Sequence, residues 1–394
     1  MTRVKSGLER LVTEERSRLK GRRLGICCNP TAVDASFAHM VDLLCAVPEA
    51  EVVALFGPEH GIRGDAQDMI SVDDVSRDPK TGLPVYSLYG HEEASLKPTP
   101  AMLEGIDLLL FDIQDIGSRY YTYIYTMSYL MEAAGEAGIE VWVLDRPNPI
   151  NGVDVEGTLV QDDYRSFVGK YSLPNRHGMT AGELALMFRD HFGVSCKLEV
   201  IQMSGWKRSM WMDETGLPWV MPSPNMPTLD TAIVYPGGCL FEGTNLSEAR
   251  GTTRPFELVG APYLDPDRFA AQLNGHGLAG VHFRPVYFSP TFHKWGREVC
   301  GGIQYHITER EKFRPFLAGV AVVQAALQQA PDGFSWREEA YEFVADRLAM
   351  DLLFGNITLR EAMEAGASLT ELEAGWQDEQ QSFLRLREPF LLYN

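Results

Sequence analysis

Along the first 150 residues, short apolar runs alternate with polar loops and helix-like stretches. The runs fall at Leu24–Cys28, Val52–Phe56, Val85–Leu88, Leu108–Phe111 and Val141–Leu144. Most are apolar at every position rather than every second one. That is the pattern of strands covered on both faces, as in a parallel sheet flanked by helices. Ala35–Ala46 and Tyr125–Ala137 read as crossover helices, the second closed by Gly138. The order predicts an α/β fold, a Rossmann-like doubly wound domain.

Further on, the pattern predicts strands at Leu198–Met203 and Ala232–Tyr235 and a helix over Ala181–Phe192 opened by the capping box Thr180/Glu183. Helical runs follow at Asp267–Leu273, Lys312–Gln329, Arg337–Leu353 and Leu369–Leu386, with strands at Val281–Pro285 and Gly302–Ile307. This divides the chain into a Rossmann-like α/β domain over residues 1–236, bearing the main site loops, and a smaller α+β domain over 237–394 that closes a cleft. The glycine-rich segment Gly237–Gly251 faces both.

In open α/β sheets the ligand crevice lies outside the carboxyl ends of the strands. Four of these ends carry polar, turn-forming residues: Asn29-Pro30-Thr31, Gly57-Pro58-Glu59-His60-Gly61, Asp112-Ile113-Gln114-Asp115 and Asp145-Arg146-Pro147-Asn148-Pro149. Turns favour such residues in any case, so the argument rests on the four together.

Composition narrows the function. A chain of 394 residues with 45% hydrophobic side chains has the material for two buried cores. Its 35 basic and 54 acidic residues give a net charge of −19, which repels a phosphate backbone and speaks against nucleic acid. The six cysteines form no C-x-x-C pair and read as reduced, mostly buried thiols. The charged first 21 residues lack the apolar core of a signal peptide, and the longest apolar run, Phe316–Val323, is far short of a bilayer span. These features predict a cytoplasmic protein without a membrane partner; oligomeric state is not readable.

Nucleotide cradles, a G-x-S-x-G elbow and H-E-x-x-H are missing, so no cofactor and no metal are expected. Glu59 is the first candidate for chemistry: a carboxylate at a strand end, braced by Pro58 and followed by His60, Gly61, Arg63 and Gly64. Partial burial equips such a group for acid/base work. Asp112 and Asp115, with Arg119, Tyr120, Tyr121 and Tyr123, resemble the furniture of a carbohydrate site, where a phenol stacks on a sugar and bonds its hydroxyls. Asp145, Arg146 and Glu156 add two acids and a guanidinium, and His177 lies beside a helix start that attracts anions. Glu242, Asn245, Arg250 and Arg254 lie in the polar block Glu242–Glu257, whose arginines suit a carboxylate. Each has a plain structural alternative: a helix cap, core packing or an internal ion pair.

Taken in order, the segments Gly57–Gly64, Asp112–Tyr123, Asp145–Pro149, His177–Thr180, Pro222–Thr228 (with Asn225) and Glu242–Phe256 resemble the exo-β-N-acetylmuramidases of the NamZ type, a family long known as a domain of unknown function. The resemblance runs from about Arg22 to Tyr393. It implies a Rossmann-like domain, a smaller C-terminal domain and a cleft between them. It also implies release of non-reducing-end N-acetylmuramic acid from peptidoglycan fragments without nucleotide or metal. By motif the family's catalytic glutamate falls on Glu59, with Glu156, Asp112 or Asp115 as second carboxylate, or with the sugar's own 2-acetamido group as internal nucleophile. Arg63, Arg119, Arg146, Arg250 and Arg254 are then the cations available to the lactyl group. Secreted members carry a signal peptide and this chain shows none, which favours muropeptide recycling inside the cell. The alternative from another class is a non-hydrolytic muropeptide sensor on the same scaffold.

Overall fold

The computed structural model describes residues 3–62 and 75–394. Its first half is a sheet of seven strands among the described residues: β1 (Arg23–Cys28), β2 (Glu51–Gly57), β3 (Val75–Arg77), β4 (Pro84–Ser87), β5 (Leu108–Asp112), β6 (Glu140–Leu144) and β7 (Lys197–Ile201). Their spatial order is β3-β4-β2-β1-β5-β6-β7. All neighbours pair in parallel except β3, an antiparallel edge. Without β3 the strands run third, second, first, fourth, fifth, sixth, which is the doubly wound Rossmann order with its switch point between β1 and β5.

Helices α1 (Gly7–Thr13), α2 (Met40–Cys45), α3 (Tyr123–Ala137) and α4 (Ala181–Asp190) cover the sheet. The period-2 geometry of a strand divides its side chains between two cores. Leu24, Ile26, Leu108, Leu110, Trp142 and Leu144 pack with Leu8 and Leu11 of α1 and Met40 and Leu44 of α2. Cys27, Leu109, Phe111, Val141 and Val143 pack with α3 and α4. Both faces are buried, which is why the runs are apolar throughout.

The second half places α5 (Leu229–Gly238), β8 (Leu258–Ala261), α6 (Pro266–Gly275), β9 (Val281–Phe288), β10 (Cys300–Ile307) and α7 (Pro315–Gln329) around an antiparallel sheet ordered β8-β10-β9. It is completed by α8 (Ala349–Phe354), α9 (Thr358–Glu364), α10 (Leu369–Ala374) and α11 (Gln377–Arg387). Helix α5 runs through the expected boundary at Pro236 and crosses α7 at a glycine contact. A Cβ on Gly237 would stand 1.9 Å from the Pro315 carbonyl, so no side chain fits there. One continuous core spans α3, α4, α5 and α7.

Four expectations change. Ala232–Tyr235, expected as a strand, lies inside α5, because a short apolar run does not distinguish the two. Thr228 caps that helix through the Thr231 N–H. The helix expected from Ala35 starts only at Met40: the Asp34 side chain takes the Ser36 and Ala38 N–H groups at 2.8 and 2.9 Å, competing with helix formation. The helix expected over Arg337–Leu353 is confined to α8, and Tyr341–Val344 is a tight turn. The run Leu369–Leu386 is broken between α10 and α11 at Gly375-Trp376. All six cysteines are free thiols, four of them buried.

Candidate active site

The end of β2 turns sharply through Pro58-Glu59-His60-Gly61, with the Gly61 N–H donating to the Pro58 carbonyl at 2.9 Å. His60 sits in the left-handed region at φ 70°, a conformation that costs a side-chain-bearing residue about 1–2 kcal/mol. The turn places Glu59 in the wall of a cavity. Glu59 is 7% exposed and accepts from the Thr122 hydroxyl at 2.9 Å. Thr122 is the N-cap of α3, and its hydroxyl goes to Glu59 rather than to the helix. The positive end of a 15-residue helix therefore opens beside this carboxylate.

The cavity wall is built by both halves. The first half contributes Glu59, His60, Tyr120, Tyr121, Thr122 and Tyr123, and the second contributes Tyr235, Glu242, Arg250, Phe256, Tyr341 and Glu342. An aromatic belt joins them: Tyr121 meets Tyr123 at 4.9 Å and Tyr235 at 5.7 Å, and Tyr235 meets Phe256 at 4.8 Å. Each edge-to-face pair adds about 0.5–1.5 kcal/mol beyond its buried area. Burial pushes the Tyr121 and Tyr235 phenols well above their ordinary pKa of 10.0, which keeps both neutral. Two phenols are committed to the frame: Tyr120 donates to the Pro236 carbonyl at 3.0 Å and Tyr123 to the Pro222 carbonyl at 2.5 Å.

Arg250 lies over the Phe256 ring and bonds Glu242 at 2.6 Å. Its Nε stands 3.2 Å from Glu248, which also meets His293 at 3.0 Å and Lys294 at 3.1 Å. Against the opposing effect of burial, Lys294, His293 and Arg250 hold the Glu248 carboxyl far below the usual carboxylate range. Glu248 is thus balanced by Lys294 and His293 as well as by Arg250, whose guanidinium also pairs with Glu242 at the cavity wall. Ala249 and Phe256, at φ 61° and 62°, are two further left-handed residues that shape this loop.

Family models described as the N-terminal and C-terminal parts of exo-β-N-acetylmuramidase NamZ match residues 24–230 and 233–393. The chain belongs to the NamZ family. A curated relative from Bacillus subtilis (strain 168), named peptidoglycan β-N-acetylmuramidase NamZ, is 45% identical over 99% of this chain and 92% of its own length. Crystal structures of two DUF1343 family proteins from Bacteroides fragilis NCTC 9343 are also similar. One has a TM-score of 0.90 and 37% identity, covering all of both chains. The other has a TM-score of 0.77 and 30% identity, covering all of this chain and 99% of that one. The NamZ family is one of glycoside hydrolases.

Of the residues singled out from the sequence, Glu59, His60, Tyr120, Tyr123, Asn225, Glu242 and Arg250 line this cavity of the NamZ-family chain. Arg63 lies outside the described residues. The others are placed elsewhere, each with an internal partner. Asp112 and Arg146 form a buried ion pair, with the second contact at 2.9 Å. Asp115 accepts from the Gly117 N–H at 2.8 Å and stands 3.3 Å from His177. Arg119, fully buried, spends its guanidinium on the Thr158, Leu173 and Leu353 carbonyls. Glu156 bonds Arg176 and the Phe316 N–H, at 3.0 and 3.1 Å, and burial raises its pKa. Asn245 accepts from the Tyr263 hydroxyl at 2.6 Å and donates to the Gly333 carbonyl, while Arg254 pairs with Glu257 at 3.0 Å.

The start of α4 does meet an anion, but an internal one. Asp145 accepts from the Gly182 N–H and the Thr180 hydroxyl, both at 2.8 Å, and from the Tyr393 hydroxyl at 2.6 Å. Burial moves Asp145 up to about 7. Ser223, Tyr235, Tyr341 and Glu342 line the cavity and were not singled out as site residues. Ser223 lies within a motif segment, whereas Glu342 falls in the run Arg337–Leu353 whose pattern predicts a helix, and no local signal marks it. Among the described residues no group of three His, Cys, Asp or Glu side chains is disposed to hold a metal ion. No helix among them is long and apolar enough to cross a membrane.

Proposed function

We propose that this chain is an exo-acting glycoside hydrolase that releases terminal β-1,4-linked N-acetylmuramic acid from peptidoglycan fragments, with Glu59 as general acid or acid/base. The observation that carries the reading is a buried carboxylate, Glu59, in a cavity whose opposite wall presents Arg250. The name borne by the Bacillus subtilis relative supports the substrate class. In the proposed step Glu59 gives its proton to the glycosidic oxygen as the C1–O bond breaks, so the leaving sugar departs as a neutral alcohol.

N-acetylmuramic acid differs from N-acetylglucosamine by a lactyl ether bearing a carboxylate. A chain of net charge −19 repels that anion at long range, so a local guanidinium has to hold it. Arg250 has that role in this reading. We place the enzyme in the cytoplasm, acting in cell-wall recycling.

The test compares 4-nitrophenyl β-N-acetylmuramide with the matching β-N-acetylglucosaminide, using wild type and Glu59→Gln. Release from the muramide alone, lost in the variant, is the expected result. Binding of the muramide with no release from either glycoside makes the chain a muropeptide sensor instead.

A further inference from the structure

Glycoside hydrolysis by a protein acid ordinarily needs a second carboxyl group, and neither Glu156, Asp112 nor Asp115 reaches the cavity that holds Glu59. Resting on the reading above, we infer that Glu342 is the second catalytic carboxylate. Among the described residues three carboxylates line the cavity: Glu59, Glu242 and Glu342. Glu242 is pinned at both oxygens, by Arg250 at 2.6 Å and by the Tyr341 hydroxyl at 2.7 Å, and so serves as the counter-ion of Arg250. Glu342 is 6% exposed, lines the same cavity as Glu59 and accepts a hydrogen bond from the Tyr89 hydroxyl at 3.2 Å.

The backbone that carries Glu342 points the same way. Tyr341 and Val344 exchange hydrogen bonds of 2.9 and 3.0 Å around a two-residue turn, with Glu342 at φ 46° and Phe343 at φ 69°. Two successive left-handed residues are the requirement of a hairpin turn that Asn-Gly satisfies without strain. This chain keeps Glu-Phe there, and strained positions of that kind gather at functional sites. Phe343 clamps the turn against Tyr89 at 5.9 Å and Phe167 at 6.3 Å, both from the first half of the chain. The turn therefore reaches across from the second half and delivers one carboxylate to the cavity.

Glu342 takes the proton of the water that attacks the anomeric carbon. The water oxygen bonds to C1 and its proton passes to the Glu342 carboxylate. The C1–O bond breaks, its electron pair leaves with the glycosidic oxygen, and that oxygen takes the proton of Glu59. The two carboxyl groups then exchange one proton through solvent, and no other reactant is consumed.

The experiment uses the full chain with 4-nitrophenyl β-N-acetylmuramide. Glu342→Ala is expected to lower kcat at least a hundredfold with KM changed by less than about threefold. Sodium azide should restore turnover and yield the α-glycosyl azide, a readout that a residue with only a packing role does not move. Tyr89→Phe is expected to lower kcat about three- to tenfold with unchanged KM. A Glu342→Ala protein that melts like wild type and keeps its kcat, or loses it without azide rescue, overturns the assignment. A β-glycosyl azide also overturns it as base. Silence of the wild type itself sinks the hydrolase reading, so the two failures are distinct.

Discussion

The carboxyl ends of β2 and β6 carry the same kinds of residue and behave in opposite ways. After β2, Glu59 and His60 open onto a cavity shared with the second half of the chain. After β6, Asp145 is closed by the Gly182 N–H and two hydroxyls, Arg146 by Asp112, and Asn148 by the Met179 carbonyl and the Ile150 N–H. The difference lies in who answers the polar groups. At β6 the start of α4, the chain end, the end of β5 and the adjacent loop supply the partners, and the result is a rigid joint. At β2 the facing wall comes from a loop and a turn more than 180 residues further along, and they leave a space.

Substitutions can break this comparison, and the largest effect is expected at the open end. Glu59→Gln should reduce kcat on the muramide by about 10³-fold, with a melting temperature within a few degrees of wild type. A thermal scan beside the rate assay checks both. If Glu59 were another internal joint, stability would fall instead.

The closed side should show the converse. Arg176 bonds Glu156, Asp154 and the Ile150 carbonyl from a fully enclosed position. Arg176→Met leaves Glu156 charged, buried and short of its partner, a loss of about 3–5 kcal/mol in urea unfolding. The kcat of the molecules that remain folded should change by less than about twofold.

A finer contrast separates the arginines. Arg250→Gln should lower kcat/KM for the muramide by about 10–100-fold. Because the glucosaminide has no lactyl carboxylate, its binding should be unaffected, so the ratio of the two affinities is the measurement. Arg254→Gln, which loses a half-exposed pair with Glu257, should leave that ratio within about twofold.

A further expected effect is a slope with pH. Burial raises Asp145 from 3.8 to about 7, so between those pH values the folded chain holds a proton that the unfolded chain releases. The stability linked to that proton is fully present below pH 3.8 and is lost as pH rises through about 7, at up to about 1.4 kcal/mol per pH unit. Asp145→Asn keeps a neutral group there, and its difference from wild type in chemical unfolding should widen steadily from pH 4 to pH 7.

How far the sequence could be read follows from the range of the interactions. The parallel sheet was legible because burial on both faces leaves unbroken apolar runs at β1, β2, β5 and β6, a signal held within five residues. Glu59 was legible because its turn chemistry, Pro-Glu-His-Gly, lies beside a strand end. Family-like motifs marked Tyr123, Asn225, Glu242 and Arg250 as well. The same reasoning proposed Asp112, Asp145, Arg146 and Glu156, since carboxylates and guanidiniums look alike in a sequence whether they meet a ligand or each other. Nothing local says that Arg146 turns back to Asp112 or Arg176 to Glu156.

The amino-acid order by itself determined the α/β class, the strand ends that matter and the first candidate carboxylate, because each depends on neighbours along the chain. Tertiary structure alone decided which polar groups are already satisfied and which face a space. It also decided that Glu342, from a segment with helical periodicity, turns into the cavity that Glu59 lines. Those outcomes depend on partners brought from distant segments, and on a buried aromatic belt and the Phe343 contacts that hold two strained residues in place.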